Sequence, residues 1–296
     1  MIVAVTGASG FIGRHLTEHL RTSGISVREI NLRANGWEET LRGATVLVHL
    51  AGSAHFSQRR RSDVDLLQHD DVLLAHRVVA AAASSGLQHL VHVSSIKARG
   101  LHDSSLPPHS EALPADAYGQ LKRAVEVAVK EKAEESGLPV WIARLPLVYG
   151  PRVRANFLLL LNVVSRGILL PLGHATAPRS YIGIRNLCSA LTRCIEQSPN
   201  ANMTIYPADL EPLSTCELVR LMTDLFDSNT VLLPVPRWIM RVSLQMLGKG
   251  EMYSRLFEEL TVDCANTRDR LNWQPPFTTR EELEWTIQWH SDSRSF

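Results

Sequence analysis

A tyrosine, a lysine and a serine in this sequence have the types and order needed to move a proton at an alcohol oxygen. Tyr118 and Lys122 are four residues apart, so a helix would place both side chains on one face. A free phenol has a pKa of about 10, and a nearby ammonium group is expected to lower it. Ser95 follows an apolar run typical of a strand and is expected to hold the reacting oxygen. Each residue alone is commonly structural, so the prediction depends on their joint order after a glycine-rich start.

That start predicts a strand, a tight turn and a helix. An apolar run ends at Thr6, and Gly7, Gly10 and Gly13 follow at intervals of three. A turn of this kind lets helix N-terminal amides approach the pyrophosphate of a dinucleotide. The GxxGxxG spacing differs from the usual GxGxxG fingerprint. With Ser95, Tyr118 and Lys122, it predicts hydride transfer with a nicotinamide coenzyme.

The end of the second predicted strand, residues 26–30, bears on the choice of coenzyme. An acid usually lies here when the coenzyme is NAD, because it binds the ribose 2′-hydroxyl, whereas an arginine accommodates the 2′-phosphate of NADP. Asn31 takes the place of the acid and Arg33 follows. The sequence therefore favours NADP(H), with NAD(H) as the alternative.

Strands and helices alternate through the first half of the chain, which predicts an α/β fold with a Rossmann-type doubly wound parallel sheet. The predicted segments are strands at 46–50, 90–93 and 140–144 and helices at 72–85 and 117–136. Residues 33–44 leave little room for an extra strand and crossover. Residues 1–150 with about 183–206 are predicted to form the dinucleotide-binding domain. About 151–182 and 207–296 would form a smaller mixed α/β lobe toward the C-terminus.

Composition excludes several classes of function. The 296 residues carry a net charge of +1, so no nucleic-acid partner is expected, and Arg59-Arg60-Arg61 is expected to be solvated. The four cysteines lack CxxC spacing, so buried thiols are expected and no metal site. No leader or membrane span is predicted, and a cytoplasmic location is expected.

Residues 236–247 are predicted to form an amphipathic helix with Trp238, Ile239, Val242 and Met246 toward one side. This side is expected to pack against the second lobe. A helix on a membrane surface is the alternative.

The chain resembles the extended short-chain dehydrogenase/reductase superfamily, and within it the NAD-dependent epimerase/dehydratase family, over essentially its whole length. The motifs that carry the likeness are TGASGFIG at 6–13, HLAG at 49–52, VSS at 93–95, YGQLK at 118–122 and RLPLVYGP at 144–151. The likeness implies nucleotide-linked sugar substrates held by the second lobe. It also implies a homodimer through the helix that carries the tyrosine.

The resemblance also assigns residues to roles. Ser95, Tyr118 and Lys122 would be catalytic. The predicted cofactor contacts are Gly7, Ser9, Gly10, Phe11, Ile12, Gly13, Asn31, Arg33, Leu50, Ala51, Gly52, Tyr118, Lys122 and Pro146. The predicted substrate contacts are Ser95, Asn156 and Arg179, of which Arg179 would bind the diphosphate. His55 is as readily structural as a sugar contact.

A closer likeness is to the UDP-glucose 4-epimerase-like branch that includes the 4-keto-6-deoxy-N-acetylhexosamine reductases of O-antigen synthesis. It is carried by SSIK at 94–97, NFL at 156–158, LPLG at 170–173, LGKG at 247–250 and LNWQP at 271–275. Similar sugar 4,6-dehydratases carry an Asp-Glu pair after the active-site Ser/Thr. Here Ile96 and Lys97 stand in those positions, so dehydration is not expected.

The predicted function is NADPH-dependent reduction of the C4 ketone of a UDP-4-keto-6-deoxy-N-acetylhexosamine in surface polysaccharide (O-antigen) synthesis. The alternative is NAD-dependent 4-epimerisation of a UDP-hexose, a UDP-N-acetylhexosamine or a polyprenyl-linked sugar. A non-catalytic NADP-binding sensor is a third hypothesis, and the Tyr118 and Lys122 pair argues against it.

Overall fold

The computed structural model of the protein describes residues 1–52, 66–100, 112–114 and 116–293. His55, the arginine run at 59–61 and most of the predicted loop at 100–116 lie outside the described residues. The strands are β1 (Ile2–Thr6), β2 (Ser26–Ile30), β3 (Val46–His49), β4 (His89–Ser95), β5 (Val140–Leu145), β6 (Leu147–Tyr149), β7 (Pro178–Arg179), β8 (Tyr181–Gly183), β9 (Met203–Ile205) and β10 (Leu213–Ser214). The α-helices are α1 (Phe11–Thr22), α2 (Asp70–Ser84), α3 (Ala117–Ser136), α4 (Ala155–Val164), α5 (Ile184–Glu196), α6 (Thr215–Phe226), α7 (Arg237–Met246), α8 (Gly250–Phe257), α9 (Ala265–Leu271) and α10 (Thr279–Asp292).

The first of two compact units comprises Met1–Pro146, Leu187–Pro207 and Asp263–Gln274. Within the described residues, it is built on a six-stranded parallel sheet with the order β2-β1-β3-β4-β5-β9. β3 and β5 are buried along their whole length, as strands covered on both faces by helices must be. The predicted α/β fold with a Rossmann-type parallel sheet is confirmed.

The described segment between β2 and β3 contains no further strand, as its small number of residues predicts. A short 3-10 helix, Trp37–Leu41, occupies it, and β2 lies at the edge of the sheet. Trp37 and Leu41 are both buried, so the short link still contributes to the core. In the usual dinucleotide-binding order a third strand lies outside the second one. This described segment holds no such strand.

Helix α3 begins and ends at the residues that the pattern predicts. At its start, Asp116 accepts a hydrogen bond from the Gly119 amide at 3.0 Å, which satisfies an N-terminal donor. At its end, Gly137 adopts a left-handed φ of 64°, as a helix C-terminus favours. Leu121 and Val125 are buried in a core cluster with residues of α2 and the sheet. The apolar side of α3 is therefore fully covered.

The second unit comprises Leu147–Asn186, Ala208–Val262 and Pro275–Phe296. Its described strands form two small sheets, β6 paired in parallel with β8 and β7 antiparallel with β10. Helices α6 and α10 both begin with a capping box, Ser214 with Glu217 and Thr278 with Glu281. Such boxes satisfy two orphan amides each.

The division predicted from the sequence differs from the structural one by a few residues at the boundaries and, more substantially, in one segment. The predicted second lobe included all of 207–296, whereas Asp263–Gln274 lies in the first unit. Thr267 Oγ1 accepts a hydrogen bond from the Tyr206 amide at 2.8 Å. Trp273 Nε1 donates to Ser189 Oγ at 3.1 Å. These contacts between residues distant in the chain join the segment 263–274 to α5 and to the residue that follows β9.

The predicted amphipathic helix forms as α7, but the expectation that its apolar side is covered is wrong. Trp238, Val242 and Met246 are 69%, 49% and 85% exposed. Leu244 is the buried residue of this helix. Packing therefore uses the opposite side of α7 and leaves the apolar stripe uncovered. Across the described ranges, no helix combines the length and apolar character needed to cross a bilayer.

Candidate active site

The turn after β1 requires glycine because other backbone segments lie very close to it. Gly7 has a left-handed φ of 68°, and a Cβ added there would lie 2.9 Å from the Ala51 amide nitrogen. A Cβ on Gly13 would overlap the carbonyl oxygen of Gly7. The Gly10 amide closes the turn by donating to that same oxygen at 3.0 Å. Larger residues would therefore separate α1 from the sheet.

The N-terminus of α1 fits the pyrophosphate of a dinucleotide. Gly10 is its N-cap, and within the described chain no side chain caps the helix. Phe11 and Ile12 begin the first turn, and Ser9 and Gly10, which precede it, are exposed. Uncapped amides at a helix N-terminus bind anions well. The cofactor contacts predicted for the glycine segment thus lie together in one turn.

The residues after β2 are compatible with a 2′-phosphate. Asn31 Oδ1 accepts a hydrogen bond from the Arg33 amide at 3.1 Å, which forms a local turn. Both side chains are exposed. Residues 31–36 contain no acid to hold a ribose 2′-hydroxyl.

Thr6 holds the end of β3 in position. Its hydroxyl lies 2.7 Å from His49 Nδ1 and accepts a hydrogen bond from the Leu50 amide at 3.2 Å. The Ala51 amide also points to this hydroxyl, at 3.4 Å. A single buried threonine therefore supports most of the HLAG motif beside the glycine turn.

Lys122 extends to the same edge of the sheet. A Cβ added to Gly52 would lie 3.2 Å from Lys122 Nζ, so glycine there leaves room for the ammonium group. Burial lowers the pKa of Lys122, while the nearby Asp71 carboxylate acts in the opposite direction. The same ammonium group, together with burial, lowers the pKa of His49 to about 4, burial being the larger cause.

Ser95, Tyr118 and Lys122 are brought together at the carboxyl end of β4. Ser95 is the last residue of that strand, and its side chain is close enough to the Tyr118 phenol to lower the pKa of that phenol. Lys122 Nζ lies 5.6 Å from the centre of the Tyr118 ring. The helical spacing of four residues therefore aligns the phenol and the ammonium group as expected.

The direction of the pKa shift of Tyr118 corrects a prediction. The sequence led us to expect a lowered pKa, yet burial of the phenol raises it, and the Asp116 and Asp71 carboxylates add to that effect. The neighbouring Ser95 side chain lowers the pKa of the phenol, and this effect is second in size to that of burial. Loss of hydration is the largest influence on this pKa because it disfavours the charged phenolate. The phenol is accordingly protonated at neutral pH.

Lys97 is a second cation near the phenol, although the sequence analysis used it only as an argument against dehydration. Lys97 Nζ lies 6.0 Å from the centre of the Tyr118 ring and 3.2 Å from an Asp116 carboxylate oxygen. Asp116 is also the N-cap of α3. This ion pair therefore connects the segment after Ser95 to the start of the helix that carries Tyr118.

Sequence reasoning missed the buried ionic network beneath the site. Glu126 accepts hydrogen bonds from Arg144 Nη2 at 2.6 Å and from Ser94 Oγ at 2.5 Å. Arg144 Nη1 donates to the Tyr206 hydroxyl at 2.7 Å. The one available signal was that Glu126 lies four residues after Lys122, on the same side of the helix. The network anchors α3 to β4 and β5.

Pro146 and two of the three predicted substrate contacts, Asn156 and Arg179, lie far apart in the chain. Pro146 is buried directly after β5. Asn156 is exposed in the first turn of α4, in the second unit. Arg179 Nη1, in that unit too, donates to the Glu258 carbonyl at 2.7 Å. Burial lowers the pKa of Arg179. Their roles toward a substrate stay predictions.

The parallel sheet, the glycine turn at its first crossover and the polar residues at its carboxyl edge define a Rossmann-type dinucleotide-binding protein. The family model described as "NAD dependent epimerase/dehydratase family" matches residues 3–206. A Vibrio cholerae protein, UDP-glucose 4-epimerase, is 32% identical over 311 residues, which span 97% of this chain and 94% of that protein. This chain belongs to the NAD-dependent epimerase/dehydratase family.

Other relatives support the same assignment. The Pseudomonas aeruginosa UDP-2-acetamido-2,6-beta-L-arabino-hexul-4-ose reductase is 31% identical over 161 residues, covering 53% of this chain and 38% of that protein. MoeE5 in complex with UDP-glucose and NAD superimposes with a TM-score of 0.79 at 23% identity, over 99% of this chain and 100% of that one. The structure of UDP-N-acetylglucosamine 4-epimerase from Bacillus cereus superimposes with a TM-score of 0.77 at 18% identity, over 99% of this chain and 99% of that one. These two structural likenesses establish the fold. The prediction of a nicotinamide-dependent oxidoreductase or sugar 4-epimerase is confirmed at the level of the family.

Proposed function

We propose that this protein reduces the C4 ketone of a UDP-linked 4-keto-6-deoxy-N-acetylhexosamine, with NADPH as coenzyme. One observation carries the proposal: Ser95 is close enough to the Tyr118 phenol to lower its pKa, and Lys122 Nζ lies 5.6 Å from the centre of the same ring, in the same unit as the glycine turn. A hydroxyl, a phenol and an ammonium group at one edge of a dinucleotide-binding sheet suit proton transfer to an oxygen whose carbon is being reduced.

Each of the three side chains has a distinct task in this reaction. A bound nicotinamide supplies the hydride that the ketone carbon accepts. Ser95 donates a hydrogen bond to the carbonyl oxygen and orients it. Tyr118 delivers its proton to that oxygen as negative charge develops there. Lys122 stabilises the phenolate that remains and binds the coenzyme ribose.

The protonation state of Tyr118 suits the donation of a proton to the substrate oxygen. Burial raises the pKa of its phenol, so the proton is present at neutral pH, ready for transfer to an alkoxide. An oxidation would first require this proton to leave. Lys122 and Lys97, at 5.6 and 6.0 Å from the ring centre, stabilise the phenolate only after the proton has been transferred.

The coenzyme proposal depends on the end of β2. Because 31–36 offer no carboxylate, a ribose 2′-hydroxyl would lack its usual acceptor there. Arg33 is exposed and no described ion pair engages it, so its guanidinium group is available for a 2′-phosphate. NADPH is suited to a net reduction in which the coenzyme exchanges at every turnover.

The sugar and the nucleotide are proposed from the relatives. One relative is named as a UDP-linked hexul-4-ose reductase, and solved neighbours contain UDP-sugars. Asn156 and Arg179 would bind the diphosphate. Ile96 and Lys97 replace the acidic pair that dehydration requires, and Lys97 is already paired with Asp116. Participation in O-antigen synthesis stays a prediction of the resemblance.

A UDP-sugar 4-epimerase is the second candidate. A relative with that activity in its name matches nearly the whole chain, and neighbouring structures hold NAD. An epimerase uses the same three side chains, but Tyr118 must then first accept a proton and later return it. The enzyme would also retain its coenzyme between turnovers.

One experiment separates the two candidates. The purified protein is assayed for nicotinamide absorbance with NADPH and a UDP-4-keto-6-deoxy-N-acetylhexosamine, and in parallel with UDP-glucose and UDP-N-acetylglucosamine without added coenzyme. A reductase consumes NADPH in the first assay and leaves both sugars unchanged in the second. Epimerised sugar in the second assay, with NAD co-purifying, would select the epimerase. Inactivity in both would exclude the proposed chemistry.

A further inference from the structure

Helix α7 in the second unit presents an apolar stripe to solvent. Trp238, Val242 and Met246 are spaced four residues apart and so lie along one side of the helix. They are 69%, 49% and 85% exposed, and Leu247, directly after the helix, is 69% exposed. Contiguous exposed apolar residues of this kind mark an interaction surface.

The stripe is held outward by contacts on the remaining sides of α7. Leu244 is buried, and Arg237 donates hydrogen bonds to the His174 carbonyl at 3.3 Å and to Thr176 Oγ1 at 3.0 Å. The Arg241 guanidinium group lies 5.9 Å from the centre of the Tyr253 ring. The helix is thus attached to its unit while its apolar side faces away from it.

Positive charge borders the stripe. Arg241 lies on the edge of the helix next to the stripe, Arg237 is held on the attached side by its hydrogen bonds, and Lys249 follows the C-terminus. Residues 231–250 contain these three cations and no acid, and the nearest acids in the sequence are Asp227 and Glu251. Among the described ion pairs, none includes Arg237, Arg241 or Lys249.

We propose that α7 is an interfacial helix that binds the headgroup region of a membrane containing anionic lipid. An exposed apolar stripe bordered by basic residues is the pattern of helices that lie in the plane of a membrane surface. Anionic headgroups provide the complementary charge. The indole of Trp238 suits the boundary between headgroups and acyl chains. This inference does not depend on the reaction proposed above.

A second copy of the chain fits the same surface less well. A two-fold symmetric contact would bring this patch against itself, and the arginines of both copies would then meet with no acid between 231 and 250 to separate them. Like charges in such a contact are unfavourable. A lipid surface brings the opposite charge instead.

The test is flotation of the full-length protein with vesicles of phosphatidylcholine alone or mixed with phosphatidylglycerol. We expect binding to the mixed vesicles, and weaker binding as salt rises from roughly 0.1 to 1 M, because the Debye length falls from about 10 to about 3 Å. Met246→Glu should reduce the partition coefficient about tenfold or more, since it places a charge on the apolar stripe. Arg241→Gln and Lys249→Gln should each reduce it about fivefold.

The matched control is Leu210→Glu, a charge placed on another exposed apolar residue of the second unit. This variant should float like the unchanged protein. Absence of binding to the mixed vesicles would overturn the proposal, as would equal flotation of Met246→Glu and the unchanged protein. Self-association in sedimentation equilibrium that Met246→Glu abolishes, without vesicle binding, would assign the stripe to a second copy instead.

Discussion

Helices α3 and α7 are both amphipathic, but the structure uses their apolar sides in opposite ways. α3 buries residues such as Leu121 and Val125 in the core of the first unit, and one of its charges, Glu126, is buried with Arg144. α7 leaves Trp238 and Met246 in solvent. An apolar stripe in the sequence therefore predicts an amphipathic helix. The segments that pack around the helix decide whether that stripe is buried.

The largest expected effect lies on α3. Replacing Tyr118 with Phe removes the proton donor but keeps the ring, so kcat should fall about 10²- to 10⁴-fold. NADPH binding, measured by fluorescence titration, should be nearly unchanged because the glycine turn is untouched. Thermal unfolding of the variant serves as the control for intact folding. Full activity of Tyr118→Phe would remove the residue from the reaction and leave α3 with a structural role alone.

The next effect concerns the buried charges beneath the site. Glu126→Gln leaves the fully buried Arg144 without its carboxylate, and such a change costs about 3–5 kcal/mol of unfolding free energy. Urea titration measures this loss. The matched control is the double variant Glu126→Leu with Arg144→Met, in which neither charge remains and most of the stability should return. A single variant as stable as the unchanged protein would show that α3 is not anchored by this pair.

The buried polar residues of the first unit should also make the stability of the protein depend on pH. His49 has a pKa of about 4 in the folded protein and about 6.5 when unfolded. The unfolded chain therefore binds more protons between these values, and stability is lost as pH falls from about 6.5 to about 4. The loss is about 3 kcal/mol for this group. His49→Gln should remove it from the pH dependence of unfolding, and an unaltered pH profile would contradict the assignment.

The smallest effect is expected on α7. Met246→Glu alters a side chain that is 85% exposed, so the free energy of unfolding should change by no more than about 0.5 kcal/mol, and kcat should be retained. Urea titration and the reductase assay measure both quantities. A destabilisation as large as that of Glu126→Gln would mean that the stripe on α7 is covered after all, and the two helices would no longer differ.

Much of the first unit was predictable because its signals are local. The helix predicted at 117–136 has the same bounds as α3 in the structure. The spacing of Gly7, Gly10 and Gly13 predicted the turn after β1. The roles of the site residues, the preference for NADP, the homodimer and the cytoplasmic location stay predictions.

The second unit gave fewer such signals because its contacts connect distant segments. Arg179 is bound to carbonyls near residue 258, which no spacing in the sequence indicates. The segment Asp263–Gln274 joins the first unit through contacts with residues about 60 to 80 positions earlier. The side of α7 that is covered likewise depends on where other segments lie.

By itself, the sequence determined the order of strands and helices, the glycine turn, and the placement of Tyr118 and Lys122 on one side of a helix. Helix and strand periods act over a few residues, so spacing alone is enough for these features. Only the tertiary structure decided that burial raises the pKa of Tyr118, that Glu126 meets Arg144, and that the stripe of α7 faces solvent. Burial and charge pairing depend on segments that are far apart in the chain, and they exist only once the chain has folded.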